Sequence, residues 1–161
     1  LNLVSLEPGQ ALSLFPGEPH AYLKGTGIEL MANSDNVVRG GLTSKHTDTR
    51  EFIRIADFRP QRIDLLLPVK FDEAEWIYPG HSEEFLLSRI QVNKAIDYQS
   101  RRSRSVEIII CIEGNASIHD LGKAEKITLK KGTSVLVPSA IEKYRIQGNA
   151  VFYKASVPLV H

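Results

Sequence analysis

His20 follows directly on the rigid run Pro16-Gly17-Glu18-Pro19, and that placement gives it two possible uses. A neutral imidazole at the start of a strand, held by a proline-rich turn, makes a rigid metal ligand. Taken alone, the same histidine reads better as a side chain capping its turn. Downstream lie Tyr22, Glu29, Arg39 and Lys45: a phenol, a carboxylate, a guanidinium and an ammonium within a short span. Taken singly, Arg39 after two valines reads as a surface arginine and Lys45 as a solvated loop lysine. Cys111 sits inside the apolar run 106–112, has no second cysteine to pair with, and reads as a small core hydrophobe.

The elements that must position these residues read mainly as short strands. Residues 1–6, 11–15 and 28–32 are apolar or alternating and are separated by the turns Glu7-Pro8-Gly9-Gln10, Pro16–Pro19 and Gly25-Thr26-Gly27. Asn33-Ser34-Asp35-Asn36 reads as an ordered polar loop. One helix is expected over 48–58, capped by Asp48 or Thr49, with Phe52, Ile53, Ile55, Ala56 and Phe58 as its apolar stripe and Pro60 as its stop. The next stretch, 59–80, contains three prolines and reads as a connector with a short strand or two. Further strands are expected over 85–92, 106–112, 116–119, 126–129, 134–137, 143–146 and 150–155. Many short strands with turns between them predict a mainly β fold, a sandwich or jelly-roll barrel with one short helix in the connector.

An internal repeat sharpens that expectation. Gly9 leads through a strand to Pro16, His20 and Tyr22; Gly132 leads through a strand to Pro138, Glu142 and Tyr144. This frame resembles the second conserved motif of cupins, in which glycine, strand, proline and turn precede an inward-pointing histidine. Glu107 and Gly114 are spaced like the end of the first cupin motif, but Ser100, Arg101, Arg102 and Ser103 stand where that motif has histidines. Glu142 stands where His20 does. The second copy is therefore read as structural rather than metal-binding.

The stretch PGEPHAYLKGTGIELMANSDNVVRGGLT, residues 16–43, resembles the signature of the type I mannose-6-phosphate isomerases. The shared features are a histidine before Ala-Tyr, a glutamate ahead of Met, the Asn-Ser-Asp-Asn tetrad, and Arg followed by Gly-Leu-Thr. The resemblance is dense over this stretch and weaker elsewhere. It implies zinc as cofactor, with His20 as one ligand and a Gln-x-His pair and a glutamate supplied by an upstream segment of the same polypeptide. It implies Arg39 as a catalytic residue acting by charge, since a guanidinium is a poor proton carrier. Glu29 becomes a catalytic candidate for proton transfer. Tyr22 and Lys45 become substrate contacts, Lys45 toward phosphate. Asn33, Ser34, Asp35 and Asn36 would brace the arginine loop. His46, His81, His119 and His161 do not match motif positions and are expected in loops or on the surface. The implied reaction interconverts mannose 6-phosphate and fructose 6-phosphate; the competing reading is a non-catalytic cupin module for sugar binding or regulation.

Composition narrows the alternatives. With 20 basic and 19 acidic residues the formal net charge is +1, so the basic surplus of a nucleic-acid binder is missing. The cluster Arg101, Arg102, Arg104 reads as a solvated loop. No run approaches the roughly 20 apolar residues of a membrane helix. The lone cysteine fits a reducing compartment, and a cytoplasmic location is expected. Leu1 in place of an initiating methionine is read as a chain that begins within a longer polypeptide. The expected organisation is 1–47 as the end of a catalytic barrel, 48–80 as helix and connector, and 81–161 as a second, degenerate cupin domain. By itself such a chain is expected neither to hold zinc tightly nor to isomerise sugar phosphates, and its open N-terminal strands should seek partners.

Overall fold

The computed structural model describes residues 2–34, 36–60 and 62–159. As the pattern predicts, the protein is mainly antiparallel β with one short helix, α1 (Thr49–Ile55). The strands are β1 (Val69–Lys70), β2 (Glu75–Ile77), β3 (Leu86–Val92), β4 (Tyr98–Gln99), β5 (Glu107–Asp120), β6 (Lys126–Lys130), β7 (Ser134–Val137) and β8 (Tyr144–Ser156). They form one sheet in the order β1-β2-β3-β8-β5-β6, with β4 also on β8 and β7 also on β5.

Two long strands organise everything else. The runs expected as separate strands over 106–112 and 116–119 are one strand, β5, and those over 143–146 and 150–155 are one strand, β8. On β8, residues 150–156 pair with β3 while 145–146 pair with β4; on β5, residues 107–110 pair with β7 while 115–119 pair with β6. Each long strand thus has different neighbours at its two ends, which lets the sheet curl around one core. The curl is set by a bulge between Cys111 and Glu113. Glu107, Ile109 and Cys111 face inward before it; Ala116 and Ile118 face inward after it. The odd-to-even change is what one extra residue in a period-two strand produces. Ile90, Ile109, Leu129, Ile146 and Phe152 close the core with no measurable exposure.

The core also contains charge. Lys154 Nζ lies 2.7 Å from Glu75 Oε1 and 3.2 Å from Glu107 Oε1, and donates to the Tyr98 hydroxyl at 2.8 Å. Ser88 Oγ donates to Glu75 at 2.6 Å and the Tyr144 hydroxyl to Glu107 at 2.8 Å. Arg104 joins them, correcting the reading of its cluster as a solvated loop. Its side chain is 4% exposed, 3.4 Å from Glu107 Oε2, and it donates to the carbonyls of Pro138 and Ile141. The carboxylate and carbonyls that need a donor draw it inward. Arg101 and Arg102 do remain outside, Arg101 over the Phe71 ring and Arg102 on Glu142.

Burial pushes Tyr98 up to about 12 and Tyr144 further. For Lys154, burial works toward deprotonation, but the fields of Tyr98, Glu75 and Glu107 outweigh it and raise its pKa. All three groups hold their protons more tightly folded than unfolded. Their contribution is complete below pH about 10 and disappears as pH climbs through the unfolded and then the folded values. Melting temperature should therefore hold steady up to about pH 10 and fall steeply above it; a flat profile to pH 12 would contradict this network.

N-terminal to β1 the expected strands do not form ladders. Among the described residues of 2–68 the sole β pairing is the isolated bridge between Ala11 and Leu66. A strand needs a neighbour for its backbone groups, and residues 2–6 and 28–32 have none here. The helix is shorter than expected. Asp48 caps it, its Oδ1 accepting from Glu51 N at 2.9 Å, but Ala56 turns extended and Asp57 N bonds to Gly17 O at 2.8 Å. A tertiary bond thus takes the backbone that two further helical residues would have used.

Candidate functional site

The turn before His20 is built by its sequence. Pro16 and Gly17 occupy its centre, with Gly17 at φ 87°, and Glu18 N donates to Phe15 O at 3.2 Å. Glu18 Oε2 accepts from Phe15 N at 3.0 Å, closing the turn a second time. The Glu18 carbonyl then lies 3.0 Å from His20 Nδ1. A carbonyl accepts, so Nδ1 carries the proton and Nε2 keeps its lone pair, the tautomer a metal ligand needs. Sequence reading missed Glu18; its part rests on a backbone oxygen, which no side-chain pattern reports.

Three of the five candidate residues come together. His20 Nε2 is 4.0 Å from Glu29 Oε1, and the His20 and Tyr22 rings meet edge to face at 5.9 Å. Partial burial, followed by its hydrogen bond to Glu29, pushes the Tyr22 hydroxyl up to about 12, so Tyr22 is a neutral donor. All three side chains are exposed. Imidazole, carboxylate and phenol thus open onto one patch of surface.

Arg39 and Lys45 are not joined to that trio by any hydrogen bond, ion pair or ring contact among the described residues. Arg39 is half-buried, Lys45 exposed. What fixes the Arg39 backbone is its neighbour. A Cβ on Gly40 would lie 2.6 Å from the Phe52 ring, so α1 packs that ring directly on the glycine. Phe52 meets Phe58 edge to face at 6.3 Å. The helix was legible, but its expected stripe is not buried: Ile53, Ile55 and Phe58 are exposed, Ala56 and Phe58 lie beyond its end, and half-buried Phe52 seats the arginine loop. In the tetrad, Ser34 Oγ accepts from Asn36 N at 3.4 Å, while Asp35 lies outside the described residues.

Of the other histidines, His81 stacks on Phe15, and His119 lies on β5 with Nε2 2.8 Å from Ser117 Oγ. His46 is exposed, and His161 lies outside the described residues. Among the described residues no three His, Cys, Asp or Glu side chains converge as a metal site. A cleft of about 390 Å³ is lined by Phe15, Asp57, Arg59, Arg62, Asp64 and His81 and by none of the five candidates. Its arginines are paired with Asp57 and Asp64.

The family model for the mannose-6-phosphate isomerase cupin domain matches residues 75–156, from the first strand of the charged core to the end of β8. The chain belongs to the mannose-6-phosphate isomerase cupin-domain family. Its relatives include the mannose-6-phosphate isomerase of Salmonella typhimurium, 39% identical over 139 residues, which are 85% of this chain and 34% of the relative. That of Escherichia coli is 35% identical over 151 residues, 92% of this chain and 37% of the relative. The crystal structure of the Salmonella mannose 6-phosphate isomerase bound to fructose 6-phosphate and zinc matches with a TM-score of 0.66 and 28% identity. It covers 80% of this chain and 32% of that one. This mannose-6-phosphate isomerase cupin chain thus spans about a third of the length of the relatives it matches. The segment matched by the family model runs from β2 to β8, and the His20 trio lies ahead of it.

Proposed function

We propose that the polypeptide carrying this chain is a zinc-dependent mannose-6-phosphate isomerase, interconverting mannose 6-phosphate and fructose 6-phosphate. Residues 1–47 would bring the signature segment to its active site, 48–80 the helix and connector, and 81–161 a cupin domain that scaffolds them. The observation that carries this reading is the convergence of His20, Tyr22 and Glu29 within the signature stretch, with the His20 Nε2 lone pair left open.

The donor chemistry fits zinc in part: one imidazole nitrogen and a carboxylate oxygen 4.0 Å away, where a catalytic zinc takes three or more protein ligands. His20 would hold the ion through Nε2, with the remaining ligands from elsewhere in the polypeptide. Zinc, when bound, supplies Lewis-acid polarisation of a sugar oxygen. The chain's own residues do the rest. Isomerisation moves a proton between adjacent carbons, and Glu29 has the group to accept and return it. Arg39 stabilises the negative charge that develops on the enediol oxygen. Tyr22, protonated at neutral pH, donates to a sugar oxygen, and Lys45 offers a point charge to the phosphate. No helix among the described residues is long and apolar enough to cross a membrane; the cytoplasm is the location this reading assigns.

The test uses the complete polypeptide. Zinc measured by atomic absorption and turnover of mannose 6-phosphate should both be present in the parent. His20→Ala should weaken zinc retention by more than the roughly 10–100-fold that loss of a ligand's outer partner costs. The 161-residue chain alone should purify without stoichiometric zinc. Sugar binding without turnover in a zinc-loaded parent would favour the non-catalytic reading instead.

A further inference from the structure

The charged cluster in the sheet core lies apart from the His20 segment and has no part in the proposed reaction. Lys154, on β8, is met by oxygens from three separate strands: Glu75 on β2, Tyr98 on β4 and Glu107 on β5. Each of these oxygens is itself anchored or enclosed. Ser88 and Tyr144 donate to the two carboxylates, Arg104 lies beside Glu107, and the Tyr98 ring is 2% exposed. The Lys154 side chain is 8% exposed, and the two glutamates are 6% and 4%. Two carboxylates converging on one buried point stay charged together only if a cation stands between them. Oxygens from carboxylate and phenol are the donors that ammonium groups and hard divalent cations prefer.

We infer that the core of this sheet is a small-cation site which the chain fills with its own Lys154 ammonium, and which accepts an external cation once that ammonium is removed. Arg104 cannot substitute for it. Its guanidinium is committed to Glu107 and to the Pro138 and Ile141 carbonyls, and neither Glu75 nor Tyr98 is among its partners. The geometry also specifies the size of the guest. An alanine at 154 deletes three methylenes and the nitrogen, the outline of n-propylammonium; a methionine keeps the stem and leaves no room.

Thermal melts of the 161-residue chain test this with Lys154→Ala and Lys154→Met. Both should melt lower than the parent by about 10 °C or more, as expected for stranded buried charge. Added n-propylammonium chloride or manganese chloride should restore at least half the loss in the alanine variant and none in the methionine variant. Propanol, the same shape without charge, should do nothing. An alanine variant melting within about 2 °C of the parent overturns the inference. So does indifference to both cations, or equal rescue by propanol. Should the alanine variant not fold, Lys154→Met is compared with Lys154→Met/Glu75→Gln for soluble yield and melting. Removal of one stranded anion must improve both, and an unimproved double variant overturns the proposal.

Discussion

Arg39→Ala in the complete polypeptide should lower mannose 6-phosphate turnover by about a hundredfold or more while leaving zinc content and melting temperature where they were. The size is that of deleting one fixed donor aimed at charge that forms only in the transition state. The selectivity follows from what surrounds the residue. Arg39 is half-buried and makes no ion pair among the described residues, so its loss strands no partner. Its backbone is held by the Phe52 ring on Gly40, which the substitution does not touch. The fall should appear in kcat rather than in KM, because in the proposed reaction the group acts on the enediol and less on the ground-state sugar. Arg39→Lys should recover only part, since an ammonium keeps the charge but not the planar fork. Steady-state kinetics beside metal analysis decides; parent-like turnover in the alanine variant would remove Arg39 from the mechanism.

Gly114→Ala should cost the fold about 3 kcal/mol or more, among the largest losses a single methyl group can cause. Gly114 sits at φ 74°, a region that L side chains rarely adopt, and an added Cβ would lie 2.1 Å from the Asn149 carbonyl oxygen and 3.0 Å from Ala150 Cα. Those atoms are backbone of β8 and cannot rotate aside. Either β8 moves away or the adjacent bulge straightens, and the latter would invert which residues of β5 face the core. Gly132→Ala is the control. It has a similar φ of 86°, yet nothing lies within 4 Å of its Cβ position, so about 1 kcal/mol of backbone strain is all that is at stake. Urea unfolding of both variants separates crowding from strain. A Gly114 variant as stable as the Gly132 variant would mean the two strands do not approach this closely.

Sequence pattern made the strands of the C-terminal sheet legible to within a residue or two, because alternation and turn glycines are local signals. It also found the repeat, and the two copies share the conformation of their first turn, though only the second continues into a paired strand. Gly9 and Gly132 both adopt positive φ in hydrogen-bonded turns, 7–10 and 130–133. What it missed depends on partners far along the chain. The two-residue β4 exists only because β8 lies beside it. Whether the apolar runs ahead of β1 become ladders is decided by neighbouring strands, which local pattern cannot supply. Arg104 looked solvated because its neighbours are serine and arginine; its burial is dictated by Glu107, Pro138 and Ile141. At the candidate site, the resemblance of residues 16–43 is what singled out His20, Tyr22 and Glu29. The carbonyl that sets the histidine tautomer and the ring that seats Arg39 came only from three-dimensional placement.

The last strand of the sheet in chain order is also its hub, and this constrains when the molecule can become ordered. β8 pairs with β3, β4 and β5, with Leu86 opposite Ser156 and Val92 opposite Ala150. During synthesis β3 emerges long before the strand it needs, leaving one whole backbone edge and the apolar side of Ile90 and Val92 in water. The β1–β2, β2–β3, β5–β6 and β5–β7 pairings can form in the interval, but they contain neither the Lys154 cage nor the closed core. Such non-local pairing places folding on the slow, millisecond-to-second side of the range for small domains. The nascent chain passes through a state with open edges that invites association with other chains. Recovery of intact protein is therefore expected to fall as chain concentration and temperature during expression rise.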